Sequence, residues 1–499
     1  MVLLKAAIRA LAVLLAAGAL CWAALVNGQP FFHPDTVGYV RGADVAVAKL
    51  LGPRFATAWV APPPGLVKPA ASSTAVGPSS NDQEVIGGRS IYYGALVSLG
   101  GRAGGFWLTV FVQSLAIALL VEILLRAVGV ASLGAYAAVM ALIAAGTSAP
   151  LFIAFLMPDI WAGAAIAAAA ALFALPRRLA RMDAAALIAI GVFAAMAHAS
   201  VAPVTGGLLV MGLAAWLWRK RAPPTPWLGA AGCAAALAAA WAGGAAFNLA
   251  VVHTAGKPPV TPPFLTARVV ADGPGARFAR ERCAGQPFMV CRFAGRLPLD
   301  VDHFLWGQTI KDGVFLPASA AERRALGEEQ TRFALAAARA YPMQQASASL
   351  RNAALQTVTT ELSDFGYKTS VRAGLESELP PGVLARFRRT LAYREALPLG
   401  LLWGLQTAVV LAALAAIGWT AARSSRGGRS EAEVAALWFA GLVILGVLGN
   451  GVVCGVLSTL YGRYQARVAW TLPLAAALLV LARGGTLKIT GFGSKPPGP

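Results

Sequence analysis

The sequence predicts an all-α integral membrane protein with about ten transmembrane helices and a mainly helical extracytoplasmic subdomain. Three observations predict it. Long apolar runs recur along the 499 residues, and the mean hydropathy is +0.64. Charged residues make up 13% of the chain, where a soluble protein carries roughly 25%. Finally, basic residues fall in every second short connection between runs.

The apolar runs lie near 8–26, 105–125, 131–150, 160–175, 184–200, 202–218, 227–252, 397–421, 433–458 and 466–482. About 20 apolar residues match a hydrocarbon core of roughly 30 Å, where only a helix satisfies its own backbone. A barrel would show alternating segments of about ten residues, and these runs do not alternate. The first run opens with Lys5 and Arg9 and has a long apolar part, so we read it as a retained span, not a cleaved leader.

The connections orient the chain. Arg126 follows the second run, and Arg177, Arg178 and Arg181 follow the fourth. Arg219, Lys220 and Arg221 follow the sixth, Arg423, Arg426 and Arg429 the eighth, and Arg483 and Lys488 the last. The positive-inside rule then makes both termini cytoplasmic. Residues 27–104 and 253–396 fall outside, with short outer turns near Pro150 to Asp159, Ser200 to Pro203 and Leu460 to Gln465. The expected organisation is a membrane module at 1–252 of about seven spans that includes the outer loop 27–104, an extracytoplasmic subdomain at 253–396, a second membrane module at 397–485 of about three spans, and a disordered tail at 486–499.

The net charge of +20 is read as topology signal and attraction to anionic membrane lipid. No basic patch interleaved with aromatics is present, so nucleic acid is not an expected partner. Of the five cysteines, Cys21, Cys233 and Cys454 lie in or beside apolar runs as packing residues. Cys283 and Cys291 share an outer loop and predict a disulfide in an oxidising compartment, with two free thiols as the alternative. Trp22, Trp161, Trp216, Trp218, Trp227 and Trp470 lie near span ends and read as interfacial anchors.

In the first outer loop, residues 34–51 repeat apolar side chains at helical spacing, as for a helix on the membrane surface. Residues 61–88 are rich in Pro, Gly, Ser and Ala and read as a flexible segment or lid. In the second, Ser319 and Glu322 have the spacing of a capping box, and Pro342 divides the helical stretch that follows.

Ionisable residues are scarce inside the runs, which argues against an ion-coupled transporter. They gather at the outer mouths, where an active site is expected. In PFFHPDTVGYV, directly after the first run, Asp35 is either a helix-start residue or a reactive carboxylate. His33 lies two residues before it and is placed to tune it or to sit at the interface. Asp159 in MPDIWAG opens the fourth run, and a helix start is its plainer role. Arg463 and Arg467 in GRYQARVAW are four apart and share one face of a helix, reading either as phosphate ligands or as lipid headgroup contacts. His198 in MAHASVAP reads more simply as a satisfied structural group, and His303 between Asp300 and Asp302 as a solvated loop face or a site for a cation or acceptor.

A first span followed at once by PDTVGY resembles the GT-C superfamily of polyprenyl-phosphate-sugar glycosyltransferases, and its bacterial members in particular. Its relatives include protein O-mannosyltransferases and lipid A aminoarabinose transferases. GRSIYYG before the second span, MPDIWAG and GRYQARVAW add to the likeness, which covers residues 1–220 and 440–485. The family's common acidic pair is absent, because Thr36 follows Asp35, so metal use and acceptor type stay open.

The resemblance implies a GT-C-like fold in the bacterial cytoplasmic (inner) membrane, and one inverting displacement at its outer face. Asp35 is the implied general base, with Asp159 as a second catalytic carboxylate that orients the sugar or shares a divalent cation. Arg463 and Arg467, then Arg89 and Arg41, are the candidates for the departing phosphate. Tyr39, Tyr92 and His198 complete the candidate substrate-binding set. The implied partners are a polyprenyl-phosphate-sugar donor and a glycan, lipid or protein acceptor. The competing expectations are an enzyme like an O-antigen ligase or polymerase that works through the large loop, a noncatalytic lipid or polysaccharide transporter, and an assembly subunit for an envelope polymer.

Overall fold

The computed structural model describes residues 2–60, 84–218, 226–423 and 430–484. Outside them lie residues 61–83 of the lid expected at 61–88, the basic turn at 219–221, Arg426, Arg429, Lys488 and the expected tail at 486–499. The chain is all-helical, with 76% helix and no strand among the described residues.

Six helices are long and apolar enough to cross a membrane: Leu3–Asn27, Trp107–Ala127, Trp227–Ala255, Leu399–Arg423, Glu431–Leu457 and Gly462–Gly484. Three more apolar helices are shorter, Leu133–Gly146, Asp159–Ala174 and Val201–Leu217. The remaining run forms Arg181–Ala197. Thus length and composition mark six crossing candidates, fewer than the ten runs, among the described residues.

The reason is visible in Asp159–Ala174, which is buried along its whole length. Its 16 residues rise about 24 Å, short of the roughly 30 Å core, but the helix is enclosed by others and need not match lipid. Its run of alanines lets neighbours approach closely, the usual device of helix packing in membranes.

The bundle has two distinct ends. At one, Arg9 lies 3.5 Å from Glu122 and donates to the Ala131 carbonyl at 2.9 Å. Arg126 meets Asp183 at 2.8 Å there, and Arg178 donates to the Ala127 carbonyl at 2.7 Å. The opposite mouth gathers Asp35, Asp159, His198, Arg463 and Arg467. Two of the expected interfacial tryptophans are interior instead. Trp470 is fully buried, and Trp161 is buried with its indole N–H on Gln113 at 3.2 Å.

A second hydrophobic core lies in the large loop. It runs from Val260 to Ala337 and centres on Phe304, Phe315, Leu326 and Phe333. Glu329 is buried there and accepts the backbone N–H groups of Met289 and Val290. Arg323 ties the core to the first loop by donating to Glu84 at 2.8 Å. Cys283 and Cys291 are joined by a disulfide with Cα atoms 5.6 Å apart. Closing so short a loop contributes about 2 kcal/mol by chain entropy. Cys283→Ser is therefore expected to loosen this core alone: limited proteolysis within 260–341 should accelerate while cleavage of the membrane helices is unchanged.

The expected capping box is present, with Ser319 and Glu322 bonding reciprocally at the start of helix Ala320–Ala340. Pro342 opens the next helix, Pro342–Val358. That helix leaves the second core and packs on Glu431–Leu457. At Gly455 an added Cβ would stand 2.5 Å from the Asn352 carbonyl oxygen. Gly455→Val should thus force the two helices apart, with an expected loss of about 1–3 kcal/mol, read as a lower unfolding temperature in detergent. Beyond it, Leu362, Phe365, Tyr367, Leu375 and Phe387 belong to the larger membrane core. The loop expected as one subdomain from 253 to 396 is therefore divided between two cores, because its second half carries aromatics that fit the membrane bundle.

Candidate functional site

The site begins with a clamp on the chain just after the first span. The Phe31 N–H donates to the Ala154 carbonyl at 2.8 Å, and the Leu156 N–H donates back to Phe31 at 3.0 Å. The Thr36 hydroxyl adds a bond to the Leu156 carbonyl at 3.0 Å. Residues 31–36 are thus fixed against the segment that leads into Asp159, and the two aspartates share one mouth.

Asp35 occupies the first turn of helix Pro34–Leu51. His33 caps that helix: its Nδ1 accepts the Asp35 N–H at 3.2 Å, and its own N–H donates to Thr36 Oγ1 at 2.9 Å. The open end of the helix dipole favours a carboxylate there. Opposite stands Arg89, which pairs directly with Asp35. Gly38 makes this possible, since a Cβ at that position would lie 2.6 Å from the Arg89 Cδ.

Arg463 and Arg467 enter from the helix Gly462–Ala469. Arg463 bonds His33 Nε2 at 2.5 Å and lies 3.9 Å from Asp364. Arg467 reaches Asp159 at 3.2 Å, His198 at 3.1 Å, Ser200 at 2.8 Å and Asn450 at 3.3 Å. The Tyr464 ring stands between the two guanidiniums, with centroid distances of 5.2 and 5.0 Å.

Exposure separates two layers. The Asp159 and Arg467 side chains are 1% and 0% exposed, and Arg463 is 6% exposed. Asp35 keeps 32% of its side chain open and Arg89 29%. The lower layer is therefore a sealed floor, and the upper layer is open to a ligand. Four polar atoms of the cluster are buried with no hydrogen-bond partner: Asp159 Oδ2 and the Nε of Arg89, Arg463 and Arg467. An unmet buried donor costs about 1–3 kcal/mol, so the Nε of Arg89, in the open layer, marks where an incoming anion gains most.

Burial alone would raise the Asp35 carboxyl, but the Arg89 guanidinium, helped by Arg463, outweighs it and holds Asp35 well below the usual carboxylate range. Burial, with Arg463, pushes His33 down to about 3, so it is a neutral acceptor near pH 7. The consequence for stability has a definite sign. Between about pH 6.5 and 3 the unfolded chain protonates this histidine and the folded chain does not, so stability falls as pH drops through that window. The slope from one such group is at most about 1.4 kcal/mol per pH unit. Thermal unfolding from pH 7 to 5 should show this decline, and His33→Gln should make it shallower.

The candidate divalent cation does not fit these residues. Each aspartate is already engaged by an arginine, and no group of three His, Cys, Asp or Glu among the described residues forms a metal site. The chemistry is therefore derived without a metal.

Of the residues singled out in the sequence, Asp35, Asp159, Arg89, His198, Arg463 and Arg467 come together here. Tyr39 is buried beside them, edge-on to Tyr93 at 5.1 Å. Two candidates are engaged elsewhere. Arg41 pairs with Glu378 and donates to the Trp59 carbonyl at 3.2 Å, and Tyr92 donates to the Gly243 carbonyl at 2.9 Å. Several loop arginines are likewise engaged away from the mouth: Arg268 pairs with Asp272, and Arg277 with Glu281 at 3.0 Å. Sequence reasoning missed Asp364, Ser200 and Asn450, because a lone polar residue beside a span carries no distinguishing signal.

Fold and site together define a class: a helical, multi-span protein of membrane type with a polar cluster, part sealed and part open, at one mouth of its bundle. Comparison with protein-family models, with curated proteins and with solved structures gave no match to this chain.

Proposed function

We propose that this protein transfers a sugar from a polyprenyl-phosphate-linked donor to an acceptor at the outer face of the bacterial cytoplasmic membrane, with inversion at the anomeric carbon. In this reading all ten apolar segments are embedded and both termini are cytoplasmic. The single observation that carries it is the meeting, at one mouth, of a solvent-reached carboxylate, Asp35, with arginines whose Nε groups are unmet.

The acceptor hydroxyl attacks the anomeric carbon and the bond to the phosphate oxygen breaks. Asp35 takes the hydroxyl proton as the attacking oxygen gains positive charge, and the phosphate oxygen leaves with the electron pair. Low basicity keeps Asp35 ionised and ready, and the transfer is late, when the attacking hydroxyl has become acidic. The polyprenyl phosphate leaves with its negative charge against Arg89, whose planar fork suits a phosphate, while buried Arg463 adds positive charge from behind. Arg467 is locked by five partners, Cys454 Sγ at 3.4 Å being the fifth, and serves to hold Asp159 and the floor in position. Preorganised charge of this kind is commonly the largest contribution to such a step.

The direct test uses the full chain in proteoliposomes with a panel of polyprenyl-phosphate-linked hexoses, pentoses and aminosugars. Release of polyprenyl phosphate, dependent on an added acceptor mixture, is expected with one donor. Absence of release across the panel, from protein that is folded by thermal unfolding, overturns the reading.

A further inference from the structure

We propose that the short helix Val301–Trp306 supplies a saccharide-binding rim to this site, with Trp306 as the stacking platform and Asp302 as the hydroxyl acceptor. The inference rests on the transferase reading and narrows its acceptor to a sugar. The helix belongs to the second hydrophobic core through Val301, Phe304 and Leu305, and Trp306 packs at the edge of that core, 6.2 Å from the Phe264 ring. Asp302 and Trp306 are four residues apart and so share a helix face.

Their contacts show where that face looks. Trp306 lies with its ring centroid 5.7 Å from the Arg89 guanidinium. Asp302 accepts the hydroxyl proton of Tyr461, whose ring lies 5.3 Å from Arg463. One helix thus spans the opening, from the arginine that pairs with Asp35 to the arginine that meets His33. Arg463, buried and with its Nε unpartnered, stands beneath it.

The side chains that this rim offers are those a sugar uses. A pyranose has a face of C–H groups, which packs on an indole, and hydroxyls at its edge, which donate to a carboxylate. Asp302, Trp306 and Tyr461 are all half-buried, so each keeps accessible surface. A lipid acceptor would want a continuous apolar groove, and a carboxylate beside an indole does not provide one. A peptide acceptor would want backbone partners, and no strand edge is present among the described residues.

The test is saturation-transfer NMR on the full chain in detergent micelles, with methyl α-mannopyranoside, methyl β-glucopyranoside and methyl N-acetyl-β-glucosaminide as probes. At least one glycoside should receive saturation, strongest at the protons of one ring face. Trp306→Ala should weaken binding about tenfold, and Trp306→Phe should retain part of it. Thermal unfolding of Trp306→Ala and Trp306→Phe checks that both variants are folded. No saturation from any glycoside, equal saturation with Trp306→Ala, or saturation of a serine- and threonine-containing peptide alone each overturns the rim. Glycoside binding that depends on Trp306, without transfer from any donor, upholds the rim and rejects the transferase.

Discussion

Asp35→Asn should reduce sugar transfer by about 10²- to 10⁴-fold while leaving the protein folded. The substitution keeps the shape of the side chain and removes its capacity to take a proton. Its structural cost should be small. The side chain is 32% exposed, and a pair with Arg89 at that exposure is partly screened by water, so about 1 kcal/mol or less is at stake. The helix cap is made by His33, not by Asp35, and survives the change. The assay is release of polyprenyl phosphate alongside thermal unfolding of the same preparation. Full activity in Asp35→Asn would move the chemistry away from this carboxylate, and the large loop would become the next place to look.

The second large effect is expected on stability. Arg467→Met should cost about 3–5 kcal/mol, because it leaves the Asp159 charge buried without its partner. Asp159 is 1% exposed and Arg467 is 0% exposed, so water offers neither of them relief. The same change also removes donors from Ser200, His198 and Asn450. Arg467→Lys should recover only part of the loss, since one ammonium does not reproduce the planar fork that reaches all five partners. The double variant Asp159→Asn with Arg467→Met should cost less than the sum of the two single changes, by a coupling of about 0.5–3 kcal/mol. Unfolding temperatures of the four proteins in one detergent close the cycle. Equal temperatures for Arg467→Met and the unaltered protein would reject the buried pair.

These two residues play different parts although both sit in the same cluster. Asp35 lies in the layer that a ligand reaches, so its loss should be read in rate. Arg467 lies in the sealed layer, so its loss should be read first in folding. From sequence the arginines at 463 and 467 are equivalent, four apart at the mouth of the last span. In the fold, His33 and Asp364 meet the first, while Asp159, His198, Ser200 and Asn450 close round the second.

Much of the local structure was legible in the residues. Apolar runs became helices, because hydrocarbon-compatible stretches have no other way to satisfy their backbones. Ser319 with Glu322 started a helix, and Pro342 divided it from the next, because capping and the missing proline N–H act within one turn. The paired Cys283 and Cys291 are eight residues apart, a spacing that local chain geometry readily closes.

What the sequence determined by itself was therefore everything that acts over a turn or a run: helical character, helix starts and breaks, and the gathering of charge at span ends. Only the tertiary structure decided which charges meet. Arg463 finds His33 across 430 positions and Arg467 finds Asp159 across 308, at separations where no periodicity or motif carries information. The same holds for Arg41, a candidate for the departing phosphate that the fold commits to Glu378. Partner choice among buried charges is settled by which helices can pack closely enough to share a mouth, and that is a property of the bundle as a whole.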